Sequence, residues 1–198
     1  EENALDEVEK SLSYPLFVKP ANLGSSVAVN RVENRQQLKK AIEEAFDYDV
    51  KVVIEEEVVG REVQVSVVGN DEPKASLPGE FIINRPFFDY DAKYNDKNTT
   101  PVIPAKLTAE VTEKVRELAV EAFKALNCYG LARVDIFVTD DNQVIINEVN
   151  TMPGFTAISM TPVLWKATDG ITYPELIEKL ISLAFERFEQ KNSLRRSR

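Results

Sequence analysis

The 198-residue sequence contains no histidine and a single cysteine, Cys128. Without histidine there is no Ser-His-Asp triad, no Cys-His pair and no zinc site built on imidazole. With one cysteine there is no disulfide within the chain and nothing that points to an oxidising compartment. No apolar run approaches the roughly 18 residues of a membrane-spanning helix, and no signal peptide is legible. Basic residues are outnumbered, 24 against 33 acidic, for a formal charge of −9. That balance disfavours general binding to nucleic acid or a membrane surface, while a local basic site for an anion remains open. Chemistry is left to carboxylates, lysines, arginines, hydroxyls, backbone amides and hard cations.

What is present suffices for a folded core. At 43% hydrophobic and 29% charged residues, the chain can bury one domain or two and does not read as disordered. It opens on "EENALDEVEK" without Met, as if within a helix, and is expected to be a fragment. "YPLFVKP" (14–20) and "SVAVNRV" (26–32) are predicted strands flanking the tight loop "ANLGSS". Helical spacing of Leu38, Ala41, Ile42, Ala45 and Phe46 predicts a helix over 34–48, with Asn34 and Gln37 as a capping box. "KVVIEE" is a strand, "EVVG" a connector, and "REVQVSVVG" a strand with Val63, Val65 and Val67 on one face. Residues 84–100 lack an apolar period and carry four aromatics, which makes them either a functional lid or a disordered loop. A helix follows over 108–127, with Val111, Val115, Leu118, Ala119, Ala122, Phe123 and Leu126 in one stripe. Strands over 129–138 and 143–149 come next, then a helix over 173–190 capped by Thr172 and Glu175. There is no internal repeat, and elements mix without regular βαβ alternation, so the expected class is α+β.

The most informative stretch is the hairpin "LARVDIFVT-DDNQ-VIINEVN". If Asp141-Asn142 is a two-residue turn, Asp135 faces Glu148 and Arg133 faces Asn150, all on one face of the sheet. Val134, Ile136, Ile145 and Val149 then take the other face, while Phe137 and Ile146 extend the polar face as an apolar platform. Two opposed carboxylates are destabilising without a compensating cation. Oxygen donors from Asp, Glu and Asn suit Mg²⁺ or Mn²⁺. The face is therefore either a divalent-cation site with an arginine beside it, or a solvated face on which Arg133 neutralises Asp135. "TMPG" follows directly and puts a bare backbone turn, with N–H groups suited to an oxyanion, next to these acids.

Three weaker constellations share the chain. Lys19 ends an apolar strand ahead of "PANLGSS", whose N–H groups and hydroxyls can cradle a phosphate or form an ordinary loop. "VVIEEEVVGRE" places acids at a strand end, with Glu62 seven residues beyond Glu55. They form either a solvated edge or a site for an adenine amino group and a ribose hydroxyl. "FFDYDAKYN" offers Lys93 and Tyr94 within the long loop, as a lid or as a polar segment.

In their order, "LFVKPANLGSSV", "VVIEEEVVGREV", "FFDYDAKY", "LARVDIF" and "INEVNTMPGFT" resemble the D-alanine–D-alanine ligases of the ATP-grasp superfamily, over nearly the whole chain. The resemblance implies an α+β ATP-grasp fold with antiparallel-rich sheets and flanking helices. Residues 1–59 would be the remainder of the central ATP-binding subdomain, 60–190 the carboxy-terminal catalytic domain and 191–198 a polar tail. It also implies ATP-dependent joining of two D-alanines for peptidoglycan in the cytoplasm. The first carboxylate is activated as an acyl phosphate and then attacked by the second amine. ATP and Mg²⁺ or Mn²⁺, as two ions, are the implied cofactors, and the full enzyme is expected to be a homodimer without nucleic-acid or membrane partners.

By the same resemblance Lys19 binds nucleotide, and Ser25 and Ser26 shape the substrate pocket and cover phosphates. Glu55 and the Val58 backbone hold adenine, Glu62 holds ribose, and Phe17, Val29, Phe87 and Phe137 wall the base. Lys93 reaches the phosphates from the lid, and Tyr94 is linked to Ser25. Asp135, Glu148 and Asn150 are the metal ligands. Arg133 and the Gly154 N–H stabilise the tetrahedral intermediate, and Ser159 and Met160 bind the carboxylate of the second alanine. Two departures stand out. Ala28 replaces the glycine of the family's GSSVG loop, although a strand position would accept it. The family's amino-terminal part is absent, and with it a glutamate and a further ATP lysine, so this chain alone is expected to be inactive. A D-alanine–D-lactate ligase of the same fold and a non-catalytic ATP-binding fragment are the alternatives. Tyr94 favours the D-alanine acceptor.

Overall fold

Leu16 and Val18 alternate with Phe17 and Lys19, and this alternation makes Leu16–Pro20 a one-sided strand, β1. The computed structural model describes residues 2–24, 26–82 and 100–194. They form two units, one within residues 2–58 and one made of Val59–Ile82 with residues 100–194. In the first, β1 lies between β2 (Asn30–Val32) and β3 (Val52–Glu56), and both pairings are antiparallel. Helices α1 (Glu2–Ser11) and α2 (Arg35–Phe46) close a core of Leu5, Leu16, Val18, Val32, Leu38, Ala41 and Ala45. Phe17, Lys19, Val53 and Glu55 are left to the opposite sheet face.

The start of α2 follows its sequence, because the Asn34 side chain accepts from the Gln37 N–H at 3.1 Å. The Gln37 amide, however, reaches back to the Glu33 N–H at 2.7 Å instead of that of Asn34. The strand expected over 26–32 is shorter, with only Asn30–Val32 paired. Ser26 and Ala28 break it with φ values of 57° and 54°. Ala28 thus occupies a left-handed turn, where its Cβ carries a cost that glycine escapes.

The second unit is organised on β4 (Arg61–Gly69) and β8 (Gly130–Val138), antiparallel from Arg61 opposite Val138 to Gly69 opposite Gly130. Strand order is β7-β6-β4-β8-β9, with β5 (Lys74–Ala75) also on β4. The other strands are β6 (Gly79–Ile82), β7 (Thr100–Val102) and β9 (Val144–Asn150). Helix α3 (Ala109–Ala125), capped by Thr108, packs Val111, Val115, Ala119 and Phe123 against Val63, Val65, Val67, Val134 and Ile136. Leu126, expected in that stripe, is the C-cap and exposed. The other sheet face takes α4 (Met160–Asp169) and α5 (Tyr173–Asn192) through Val68, Trp165 and Leu176. There the Trp165 Nε1 donates to the Ser66 Oγ at 2.9 Å, a buried bond. The Thr172–Glu175 capping box opens α5 as predicted.

The short strands β5, β6 and β7 and helix α4 were not predicted from periodicity. The strands run two to four residues, too few to establish an alternation. Helix α4 carries Pro162 in its first turn, where no intrahelical bond is lost. Of the loop expected over 84–100, residues 84–99 lie outside the described residues, and Thr100 begins β7.

Two measurements test this account. Ala28→Gly should stabilise the protein by about 1 kcal/mol in urea unfolding, through relief of the left-handed conformation. Tyr14 donates to Glu9 Oε1 at 2.8 Å. Burial, then the Glu9 hydrogen bond and charge, push its pKa from 10.0 to about 12. A raised pKa keeps this contribution complete below pH 10 and removes it as pH climbs to about 12. Stability should fall across that window, and fall less in Tyr14→Phe.

Candidate functional site

The hairpin reaches the expected pairing by an unexpected route. Thr139 N–H donates to Gln143 O at 3.1 Å, Asn142 N–H donates to Thr139 O at 2.9 Å, and Asn142 has φ of 64°. The connection is therefore a three-residue loop, a type I turn followed by a left-handed Asn142, and not the two-residue turn expected. Val138 then faces Val144, Phe137 faces Ile145 and Ile136 faces Ile146. An irregularity between Asp135 and Ile136 gives β9 one extra residue, Asn147. Beyond it Asp135 opposes Glu148, Val134 opposes Val149 and Arg133 opposes Asn150, as predicted. The longer loop and the bulge cancel. The platform needs correcting, since Ile145 and not Ile146 lies opposite Phe137.

Arg133 dominates this face. Its Nε and Nη2 donate to the two carboxylate oxygens of Asp135, each at 2.7 Å, and its Nη2 lies 3.9 Å from Glu148 Oε1. The Asp135 side chain is 3% exposed and that of Glu148 50%. Asn150 Nδ2 donates to Glu148 Oε1 at 3.0 Å and to Asp135 Oδ2 at 3.4 Å. Burial works against the charge on Arg133, but the hydrogen bonds and field of Asp135, with Glu148 and Glu62 adding, hold its pKa above the ordinary value. Arginine thus compensates the inner carboxylate and leaves the outer one only partly matched. Among the described residues no group of three or more His, Cys, Asp or Glu side chains is gathered. Two carboxylates and an amide make an oxygen-only donor set that fits a hard divalent cation. A carboxylate offers about four lone-pair directions, of which Arg133 takes two on Asp135.

The neighbouring strand continues the polar face. Glu62 is opposite Phe137, Gln64 opposite Asp135 and Ser66 opposite Arg133. In the sequence Gln64 is marked only by the polar half of "REVQVSV", the residues that alternate with Val63, Val65 and Val67.

Beyond β9 the chain turns into α4. Thr156 N–H donates to Ser159 Oγ at 2.9 Å, and Ser159 is the N-cap of α4. The Met160 side chain is buried, so its backbone N–H, in the first helical turn, is the group available to an anion. Gly154 is exposed, and a Cβ there would meet only Ser159 Oγ, at an ordinary 3.6 Å. Packing does not demand a glycine at that position.

In the first unit Lys19 and Glu55 are brought together, with Nζ and Oε1 2.5 Å apart, and Phe17 is the cross-strand partner of Glu55. Val29 and Val58 are half-buried, and the Val29 N–H donates to Ser26 O at 3.4 Å. Ser25, Phe87, Lys93 and Tyr94 lie outside the described residues.

If Arg133 compensates a buried carboxylate, Arg133→Met should cost about 3–5 kcal/mol by stranding Asp135. Arg133→Met with Asp135→Leu should recover much of the loss in thermal or urea unfolding.

The family described as D-ala D-ala ligase C-terminus matches residues 1–182. A D-alanine–D-alanine ligase of Bacillus cytotoxicus is 53% identical over 194 residues, covering 98% of this chain and 53% of the relative. One of Geobacillus kaustophilus is 51% identical over 193 residues, covering 98% and 52%. Among solved structures, the D-alanine-D-alanine ligase from Coxiella burnetii superposes with TM-score 0.80 at 40% identity, over 97% of this chain and 49% of that one. The VanG D-Ala:D-Ser ligase from Enterococcus faecalis superposes with TM-score 0.82 at 41% identity, over 92% and 53%. The chain spans about half the length of the curated relatives it matches.

Proposed function

The chain belongs to the D-ala D-ala ligase C-terminus family, and on that premise we propose that it supplies nucleotide- and cation-handling residues to an ATP-dependent ligase joining two D-alanines. The observation that carries this reading is the cluster of Arg133, Asp135, Glu148 and Asn150 on one face of β8 and β9. Such chemistry suits an inventory without histidine, because phosphoryl transfer needs positioning and charge neutralisation above all.

In the second unit Asp135, Glu148 and Asn150 would hold Mg²⁺ or Mn²⁺, with the Asn150 amide turned to present its oxygen. When bound, the cation would neutralise phosphate charge. The Asp135 pair occupies Nε and Nη2 of Arg133, which leaves the guanidinium a further edge for the oxyanion of the tetrahedral intermediate. The Gly154 N–H is a second donor to it. Ser159 and the Met160 N–H, at the start of α4, bind the carboxylate of the acceptor amino acid. Glu62 holds ribose, and Phe137 offers an apolar surface to the base.

In the first unit Lys19 binds phosphate oxygens, and Glu55 both orients Lys19 and accepts from the adenine amino group. The Val58 backbone, Phe17 and Val29 complete the adenine contacts. The roles of Ser25, Ser26, Phe87, Lys93 and Tyr94 rest on resemblance, as do a second metal ion, a homodimeric full-length enzyme, a cytoplasmic setting and supply of peptidoglycan precursors.

The γ-phosphoryl group of ATP passes to the first D-alanine carboxylate, giving an acyl phosphate and ADP. The second amine, its ammonium proton given up to solvent, then attacks the acyl carbon. The acyl C–O bond to phosphate breaks, and the departing phosphate takes up the second proton that the nitrogen sheds. D-alanine is taken as the acceptor because the curated relatives 50–53% identical to this chain are named D-alanine–D-alanine ligases. Identity to the solved D-alanine and D-serine enzymes, 40% and 41%, does not separate the two acceptors.

Full-length protein supplied with ATP and equal D-alanine, D-serine and D-lactate should make mainly D-alanyl-D-alanine at neutral pH, with one ADP and one phosphate per dipeptide. A mixed product in the majority would overturn the acceptor assignment, and ATP turnover without any ligated product would overturn the ligase reading. Lys19→Met should raise the KM for ATP at least about tenfold while leaving the KM for D-alanine within about twofold.

A further inference from the structure

Gln64 has no role in the ligation scheme. It lies at the middle of the second unit's sheet, Cα partner of Asp135 on β8 and of Gly79 on β6. The residue is 7% exposed, and its Oε1 is buried without a hydrogen-bond partner. Alternation along β4 puts it on the face that carries Glu62, Ser66, Arg133 and Asp135. Strand order therefore makes a row of Gly79, Gln64, Asp135 and Glu148 across β6, β4, β8 and β9.

A buried amide oxygen without a donor is unfavourable, and its presence calls for a physical cause. One row along, Ser66 has its partner, since Trp165 donates to its Oγ. Arg133, on the same face, gives Nε and Nη2 to Asp135 and makes no hydrogen bond to Gln64 Oε1. What remains for a lone-pair-bearing oxygen beside two carboxylates is a positive charge shared with them. An amide adds a hard oxygen donor without a third negative charge, and divalent Mg²⁺ and Mn²⁺ accept six such oxygens.

We propose that Gln64 Oε1 is a further oxygen donor to the divalent cation assigned to Asp135, Glu148 and Asn150. The proposal rests on that metal assignment and extends its donor row onto β4. It predicts that the charge of residue 64 tunes affinity for the cation, whereas a purely structural Gln64 would change stability alone.

The test is the Mn²⁺ affinity of the full-length protein, read from the electron paramagnetic resonance of free Mn²⁺ with the metal alone, alongside the thermal midpoint of each variant. Gln64→Met, close in shape but without the oxygen, should weaken Mn²⁺ binding by about tenfold. Gln64→Glu should tighten it by several-fold, and this variant carries the test if the methionine protein does not fold. Asp135→Asn separates the two levels. Wild-type binding that is absent, or unchanged by Asp135→Asn, sinks the metal assignment and the proposal with it. Binding lost in Asp135→Asn yet equal in wild type, Gln64→Met and Gln64→Glu sinks the role of Gln64 and leaves the metal assignment standing.

Discussion

The antiparallel pairing of β4 with β8 is the constraint on which the second unit depends. Running from Arg61 opposite Val138 to Gly69 opposite Gly130, it fixes which side chains point each way. Valines at 63, 65 and 67, with Ala132, Val134 and Ile136, meet α3 in one continuous core. Glu62, Gln64, Ser66, Arg133 and Asp135 thereby take the other face, while Arg61, at the end of β4 on the valine side, pairs with Glu80. A slip of one residue would turn Arg133, Asp135 and Gln64 toward α3 and carry the valines to the opposite face. The hydrophobic effect thus holds the polar cluster in register without contributing an atom to it.

Within that frame, electrostatics separates two carboxylates that look equivalent in the sequence. Asp135 is held inside by a bidentate arginine, while Glu148, on the outer strand β9, stays half exposed. Geometry makes the difference, since among the described residues β8 is flanked on both sides and β9 on one. A buried carboxylate stripped of its partner would be severely destabilising, so the pair gives the site a fixed inner charge. The outer glutamate and Asn150 form the adaptable rim. This division suits the cation-binding role proposed for the face.

Local backbone devices do the fine placement. A left-handed Asn142 and the extra Asn147 offset each other, so that Glu148 and Asn150 arrive beside Asp135 and Arg133. Ser159, as N-cap, ends the turn after β9 and starts α4 with its N–H groups ahead of the buried Met160. In the first unit the same logic of alternation leaves Phe17, Lys19 and Glu55 on the face away from α1 and α2.

Much of this was legible from residue order alone. Apolar periods located α2 and α3, a capping box located α5, period-two alternation located β4 and β8, and the absence of histidine confined the chemistry to charges and oxygen donors. The cross-strand partners of Asp135 and Arg133 followed from counting, although by a loop and a bulge that counting cannot see. What the sequence left undecided depended on contacts distant along the chain. Whether Arg133 serves Asp135 or Glu148 is settled by which carboxylate the sheet buries. Gln64 reads as an ordinary polar residue until β8 brings Asp135 beside it across some 70 positions. Ala28 passes for a strand residue until the pairing of β1 with β2 stops at Asn30. Local pattern specifies which face a side chain takes, because alternation is a property of a few consecutive residues. Which charges meet on that face is decided by the sheet, because only strand pairing sets distances between residues far apart in sequence.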